Sequence, residues 1–362
     1  MAVNLKVLEF ANKVSRKKMG AKGAIQPTDP EYRILEPVVT TEMAEAALGL
    51  EMRKPLSAAE VAAKIGKPLE ETGRLLWALA EAGVCFVNKK DGVDKYWYDT
   101  WVPGIMEMMT NNKENVKKYP QIAESFEAYG RVRGKMTAGA FPPGVGLMRV
   151  IPIETAIDGN SRRASYEEVS KYLNDNSIFS VSDCSCRTAR ESMGEGCGHL
   201  KEDMCIQMGH AAEYYIRTGR GREITREEAF AIIRRAEENG LMHQIPNVDG
   251  VGKTHAICNC CGCSCLSLRS AEMFINTDMV RSNYVARVDR ELCVACGECV
   301  ETCPTNAAQL GQKICGLTPI VRQPRETPRD NEWGPENWNV DYRTNRKDVV
   351  DTGTSPCKTN CP

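Results

Sequence analysis

The sequence predicts an α+β chain. Three observations predict it: three helices and a hairpin in order over residues 40–110, a further capped helix after residue 224, and an alternating strand at Tyr284–Val288. At 362 residues the chain holds two or three compact domains and can bury real cores. Its net charge of −1 builds in no long-range attraction to nucleic acid or an anionic membrane. Aromatic residues make up only 6%, which argues against base-stacking platforms. Lys6, Glu9 and Lys13 interrupt any apolar run at the start, so no secretory signal is expected. No stretch approaches a membrane span.

The elements follow in order. Glu42 to Met52 is an Ala- and Leu-rich helical run. Ser57 and Glu60 form a capping box that opens a helix ending at Gly66. Pro68 starts a third helix, with Leu69, Leu75, Leu76 and Leu79 as its stripe and Gly83 as its stop. Val84 to Val87 is a strand, Asp91 and Gly92 mark a tight turn, and Val93 to Tyr98 returns. That order is the order of a winged helix. Its third helix, however, sets Glu70, Glu71 and Glu81 against Lys67 and Arg74. Phosphate contacts need the opposite balance, so the expected role is packing or protein contact, not DNA binding. Cys85 on the first hairpin strand is expected to be a buried small hydrophobe.

Residues 111–180 read as connecting structure, with a loop at 141–146, a short strand from Val150 to Ile153 and a helix from Ser165 to Leu173. Thr225 and Glu228 form another capping box, opening a helix that stops at Gly240.

The cysteines carry the chemistry. Of 17, thirteen fall between Cys184 and Cys303. With no sign of export, this crowding indicates metal or cluster ligation in a reducing cytoplasm rather than a disulfide scaffold. Cys293, Cys296, Cys299, Cys303 and Pro304 reproduce the bacterial ferredoxin run C-x2-C-x2-C-x3-C-P. Three thiolates at that spacing wrap one face of a [4Fe–4S] cubane, Gly297 lets the main chain approach, and the fourth cysteine reaches a second cluster. A structural zinc site would space its pairs by a longer loop.

The second cluster needs more thiolates, and Cys258, Cys260, Cys261, Cys263 and Cys265 offer five in eight residues. Four would complete a two-cluster domain. Cys258, Cys261, Cys263 and Cys265 are taken as the ligands, with Cys260 spare, although spacing alone does not identify the extra residue.

Cys184, Cys186, Cys197 and Cys205 make a third group, with Gly194, Gly196 and Gly198 giving backbone freedom. It fits a third [4Fe–4S] cluster, with zinc as the alternative. His199 could replace a thiolate, though a solvated histidine is the commoner case. Arg187 and Arg190 are expected to offset the cluster's charge. Gly250 to Thr254 ends like a phosphate-binding loop, but Asn247 stands where the first glycine should be, and no helix follows. No catalytic residues are recognisable.

The stretch from Gln323 to Asn339 is aperiodic and expected to run extended, leading to Cys357, Cys361 and Pro362. That last pair resembles the start of the N-terminal iron–sulfur segment in flavoproteins related to the glutamate synthase small subunit. Residues 181–315, including Cys184, Cys186, Arg187, the block at 257–263 and the ferredoxin run, resemble an iron–sulfur module fused ahead of such flavoproteins in anaerobes. The winged-helix-like region belongs to the same arrangement. The resemblance implies that FAD and NAD(P)H bind in domains beyond Pro362, and that 362 residues are the front part of something longer. Neither cofactor is assigned to a residue here.

The domains expected are therefore a winged-helix-like domain (1–110), a linker plus four-cysteine domain (111–245), a two-cluster ferredoxin-like domain (246–318), and an extended linker with a cysteine half-site (319–362). The expected function is electron transfer through [4Fe–4S] clusters, as the iron–sulfur part of a flavin-dependent NAD(P)H oxidoreductase. The partners would be an FAD/NAD(P)H-binding domain, on the same full-length chain or a separate subunit, and a redox protein, with no nucleic acid or membrane involved. The alternatives are a redox-sensing winged-helix transcription regulator and a zinc-stabilised interaction module.

Overall fold

The computed structural model describes residues 2–138, 146–152, 168–247, 249, 252–274, 279–282, 284–285, 288, 293–305 and 350–351. Cys315, Cys357, Cys361 and most of the expected loop at 141–146 lie outside the described residues. Helices and sheets are mixed along the chain, giving an α+β architecture. The chain forms two compact units: Met1–Met136, Asn176–Ile232 and His255–Cys258 make the first, and Thr137–Asp175, Ile233–Thr254 and Asn259–Pro362 make the second.

Helix α1 (Leu5–Val14) starts at Asn4, whose side chain accepts from the Lys6 and Val7 amides. It buries Val7, Leu8, Phe10, Ala11 and Val14, so the charges that interrupt its apolar run lie off the buried face. Helix α2 (Pro30–Leu35) begins on a proline, and α3 (Thr41–Gly49) is capped by Thr40. Strand β1 (Leu56–Ser57) leads into α4 (Ala58–Ile65), where the Ser57–Glu60 capping box is present with both arms. Helix α5 (Leu69–Ala82) stops at Gly83, whose φ of 90° is a left-handed conformation suited to glycine. Strands β2 (Phe86–Lys90) and β3 (Val93–Trp97) form the hairpin, with Asp91 and Gly92 both at positive φ as its two-residue turn requires. β1 adds to the free edge of β3. The expected order over 40–110 is thus present, with ends moved by one to three residues.

The stretch after residue 110 is more regular than the sequence reading allows. After α6 (Met106–Thr110) and α7 (Lys113–Lys118) comes α8 (Gln121–Ala138), an 18-residue helix where connecting structure is expected. Few apolar residues hold it: Ile122, Ala123 and Phe126 are buried. Much of the rest is ionic. Arg133 reaches Glu31 through Nε at 2.6 Å and Asp29 at 3.4 Å, and Arg33 meets Glu124 at 3.6 Å. Such a helix leaves only a weak periodic stripe.

The remaining elements are β4 (Met148–Val150), α9 (Val169–Asn174), β5 (Phe179–Ser182), α10 (Ser185–Ser192), β6 (Cys205–Met208), α11 (His210–Arg217), β7 (Arg222–Ile224), α12 (Arg226–Glu238), β8 (Met242–Pro246), β9 (Ala256–Cys260), α13 (Leu266–Met273), β10 (Val280–Ser282), β11 (Tyr284–Val285), α14 (Glu298–Thr302) and β12 (Val350–Asp351). In the first unit β7, β5, β6 and the first three residues of β9 run side by side, each antiparallel to its neighbour. In the second, β4 pairs parallel with β10 and antiparallel with β8.

Within the first unit, α11 locks the hairpin in place. Glu213 accepts from the Asn88 side chain at 2.8 Å and the Lys89 amide at 2.7 Å. Arg217 donates to both Asp94 oxygens at 3.0 Å. The buried Tyr214 hydroxyl donates to the Ala80 carbonyl at 2.8 Å, at the end of α5. Phe86 stacks on Trp97 and meets Tyr214 edge-on. Hydrogen bonds of this kind contribute about 0.5–1.5 kcal/mol each, and the ring pairs a similar amount. Cys85 is fully buried beneath them, as expected of a small apolar side chain. Among the described residues no helix is long and apolar enough to cross a membrane.

Candidate metal centres

The second unit holds the ferredoxin run. Cys293, Cys299 and Cys303 are half-buried and Cys296 is exposed. Cys299 lies on α14 and Cys303 caps its end. Between the first two cysteines Ala295 has φ 56°, and Gly297 has φ 88°. A left-handed alanine is strained by roughly 1–3 kcal/mol and persists only where the surroundings impose it. Reversals of this kind turn main-chain N–H groups into one concavity, which suits the sulfur atoms of a cluster. The donor set and the loop conformation therefore fit a cubane.

Cys261, Cys263 and Cys265 of the upstream block lie in the same unit, together with Cys260. Cys260, Cys261 and Cys265 are buried and Cys263 is exposed. Cys265 starts α13, its amide bonded to the Cys261 carbonyl at 3.2 Å. Its sulfur lies 3.1 Å from the Ser267 hydroxyl and 3.8 Å from the buried Gln244 amide. The decisive contact is Gly262. A methyl group there would stand 2.7 Å from the Pro304 carbonyl carbon, and closer to its oxygen. The glycine between Cys261 and Cys263 therefore lies directly on the proline that follows Cys303. Gly262 and Pro304 are 42 positions apart in the sequence, and their contact brings the two cysteine blocks together.

The first unit holds the other group. Cys184 caps the start of α10 and Cys186 lies in its first turn. The Cys184 amide donates to the Lys201 carbonyl at 3.0 Å, which ties the segment before β6 to this helix start. The Cys186 thiol, hydrogen-bonded to Cys184, lowers the Cys184 pKa; the Arg187 charge and amide act the same way, against burial. Arg187 is 3% exposed, in place to offset thiolate charge. Cys205 opens β6 and lies opposite Cys258 of β9. The Cys258 thiol, hydrogen-bonded to Cys205, and burial push the Cys205 pKa well up, with the charges of Cys258, Cys184 and Glu107 adding to it.

Cys258, placed by sequence with the ferredoxin ligands, thus sits in the first unit beside Cys205. Cys197 follows the Gly194–Gly196 turn and is half-buried, and His199 next to it is exposed. Around the group, Glu107 is raised to about 7, mainly by burial and further by the Cys258 charge, against its bond from the Gly104 amide at 2.7 Å. Burial likewise raises Tyr215, whose hydroxyl accepts from Asn111 at 3.3 Å. Asn111 also donates to Ser185 at 2.8 Å. Spacing along the chain could not reveal this grouping; the strand register that pairs Cys205 with Cys258 does.

Comparison with known proteins agrees on one part. Residues 286–309 match the model of the 4Fe-4S binding domain. The chain therefore carries an iron–sulfur module, and the match spans all four cysteines of the ferredoxin run. No curated protein and no solved structure matches the chain.

Proposed function

We propose that the protein is an electron-transfer module of a flavin-dependent NAD(P)H oxidoreductase, passing electrons through [4Fe–4S] clusters between a flavin/NAD(P)H domain and a redox partner protein. The observation that carries this reading is the seating of Gly262 on Pro304, which brings a second set of thiols to the ferredoxin run. Cys293, Cys296 and Cys299 would hold one cluster, and Cys303 would cross to the one held by the upstream block. When bound, such clusters supply one-electron chemistry. The protein's part is to hold them at fixed spacing, set their potential through hydrogen bonds and burial, and shape the docking surface. Gln244 and Ser267, both bonded toward Cys265, are placed to tune that sulfur.

The flavin side of the proposal rests on the resemblance at Cys357 and Cys361. The winged-helix-like region is read as a packing element. Asn88, Lys89 and Asp94 of its hairpin are engaged by α11, which supports this reading over a DNA-binding regulator.

Iron and acid-labile sulfide analysis of anaerobically purified protein tests the proposal. At least about eight of each per chain are expected from two clusters. Fewer than about four would sink it.

A further inference from the structure

We propose that Cys184, Cys186, Cys205 and Cys258 form a separate four-thiolate [4Fe–4S] site in the first unit, and that Cys258 is the member of the five-cysteine block that leaves the ferredoxin part. The inference rests on the iron–sulfur reading above and extends it to a ligand set that spacing does not give.

Three chain segments converge to make the site. Ser182, Cys205 and Cys258 occupy one row across β5, β6 and β9. From Ser182 the chain runs through Asp183 to Cys184 at the start of α10, so Cys184 and Cys186 come to the end of the sheet where β6 begins. Cross-strand neighbours have Cβ atoms about 4.5–5.5 Å apart, so Cys205 and Cys258 can serve one group. The Cys184 amide donates to the Lys201 carbonyl at 3.0 Å, which holds the start of α10 against the segment that enters β6 at Cys205. The start of α10 and the buried Arg187 place positive potential beside a ligand set that is wholly anionic.

The ligand count then closes. With Cys258 removed, the second unit keeps Cys260, Cys261, Cys263, Cys265 and the four cysteines of the run. Those are the eight thiolates that two clusters need, so Cys260 becomes a ligand, and of the thirteen clustered cysteines it is Cys197 that is left over.

The test uses the full chain, reconstituted anaerobically with iron and sulfide. Iron, sulfide and zinc are counted, and the reduced protein is examined by electron paramagnetic resonance. The unsubstituted chain should hold about twelve irons and no stoichiometric zinc. Cys258→Ala should fall to about eight and keep the interaction-broadened signal of two neighbouring reduced clusters. Cys186→Ala should show the same loss, and reads the site if the Cys258 substitution in β9 fails to fold. Cys260→Ala should keep the first-unit cluster and lose the broadened signal. Eight irons in the unsubstituted chain, unchanged in both Cys258→Ala and Cys186→Ala, would overturn this inference while leaving the two-cluster reading intact. A broadened signal lost in Cys258→Ala, or one zinc released by it, would also overturn it. Fewer than about four irons in the unsubstituted chain would mean that the underlying reading had failed.

Discussion

The sharpest consequence of the fold is at Gly262. Replacing it with alanine adds one methyl group, which would lie 2.7 Å from the Pro304 carbonyl carbon and 3.3 Å from its Cα. Non-bonded carbons rest at about 3.5–4.0 Å, and the Pro304 carbonyl oxygen stands nearer still, so the two segments must part by more than about 1 Å. Both obstacles are main chain, and no side chain can swing aside to make room. Overpacking of this kind costs about 1–3 kcal/mol, and rigid surroundings put this case toward the upper end. At about 1.4 kcal/mol per factor of ten, the closed arrangement should be disfavoured roughly a hundredfold. Anaerobic reconstitution of Gly262→Ala should therefore yield less than half the iron of the unsubstituted chain, with the deficit in the two-cluster signal. Gly262→Ser should be no better, because its Cβ meets the same atoms. A Gly262→Ala protein with full iron content and an unshifted melting temperature would refute the claim that the two cysteine blocks are pressed together there.

Two further outcomes follow from the first unit. Gly83→Ala places a side chain at φ 90° and within 2.7–2.9 Å of the Met108 and Met109 main chain, so it should lower stability by more than about 2 kcal/mol, read as a drop in melting temperature. Glu107 has a folded-state pKa of about 7, above its ordinary value of 4.5, so the native state holds its proton more tightly. Stability should then fall as pH rises from about 4.5 to 7, and Glu107→Gln should melt higher than the unsubstituted chain at pH 8 but not at pH 4.5. Identical pH profiles for the two proteins would contradict that assignment.

Much of this architecture is visible in residue patterns, and where it is not the reasons are physical. The Ser57–Glu60 and Thr225–Glu228 boxes, Gly66, Gly83 and the Asp91–Gly92 turn are local devices, and each marks an element end in the structure. The ferredoxin run is likewise local: its spacing alone states its chemistry. Helix α8 is hard to read because ion pairs to α2 and α1–α2 neighbours such as Asp29 do part of the work usually done by an apolar stripe. Helix α1 is obscured by Lys6, Glu9 and Lys13, which break its apolar run without touching its buried face. Lys13 is even used structurally, donating to the Leu50 carbonyl at 2.7 Å. The division of the five-cysteine block is the least legible feature. It depends on which residue of β9 faces Cys205, and a shift of one position would exchange Cys258 for Ile257 or Asn259. Only long-range pairing sets that register.

The Gly262–Pro304 contact also bears on how the protein is made. During synthesis the block from Cys258 to Cys265 leaves the ribosome while the residues that will press against it have not yet been joined. Until Pro304 has emerged and folded back, Cys260, Cys261, Cys263 and Cys265 of that block stand without their final neighbours, open to zinc, copper or air. On the two-cluster reading proposed above, a cluster shared by the two blocks forms only after translation has passed residue 304.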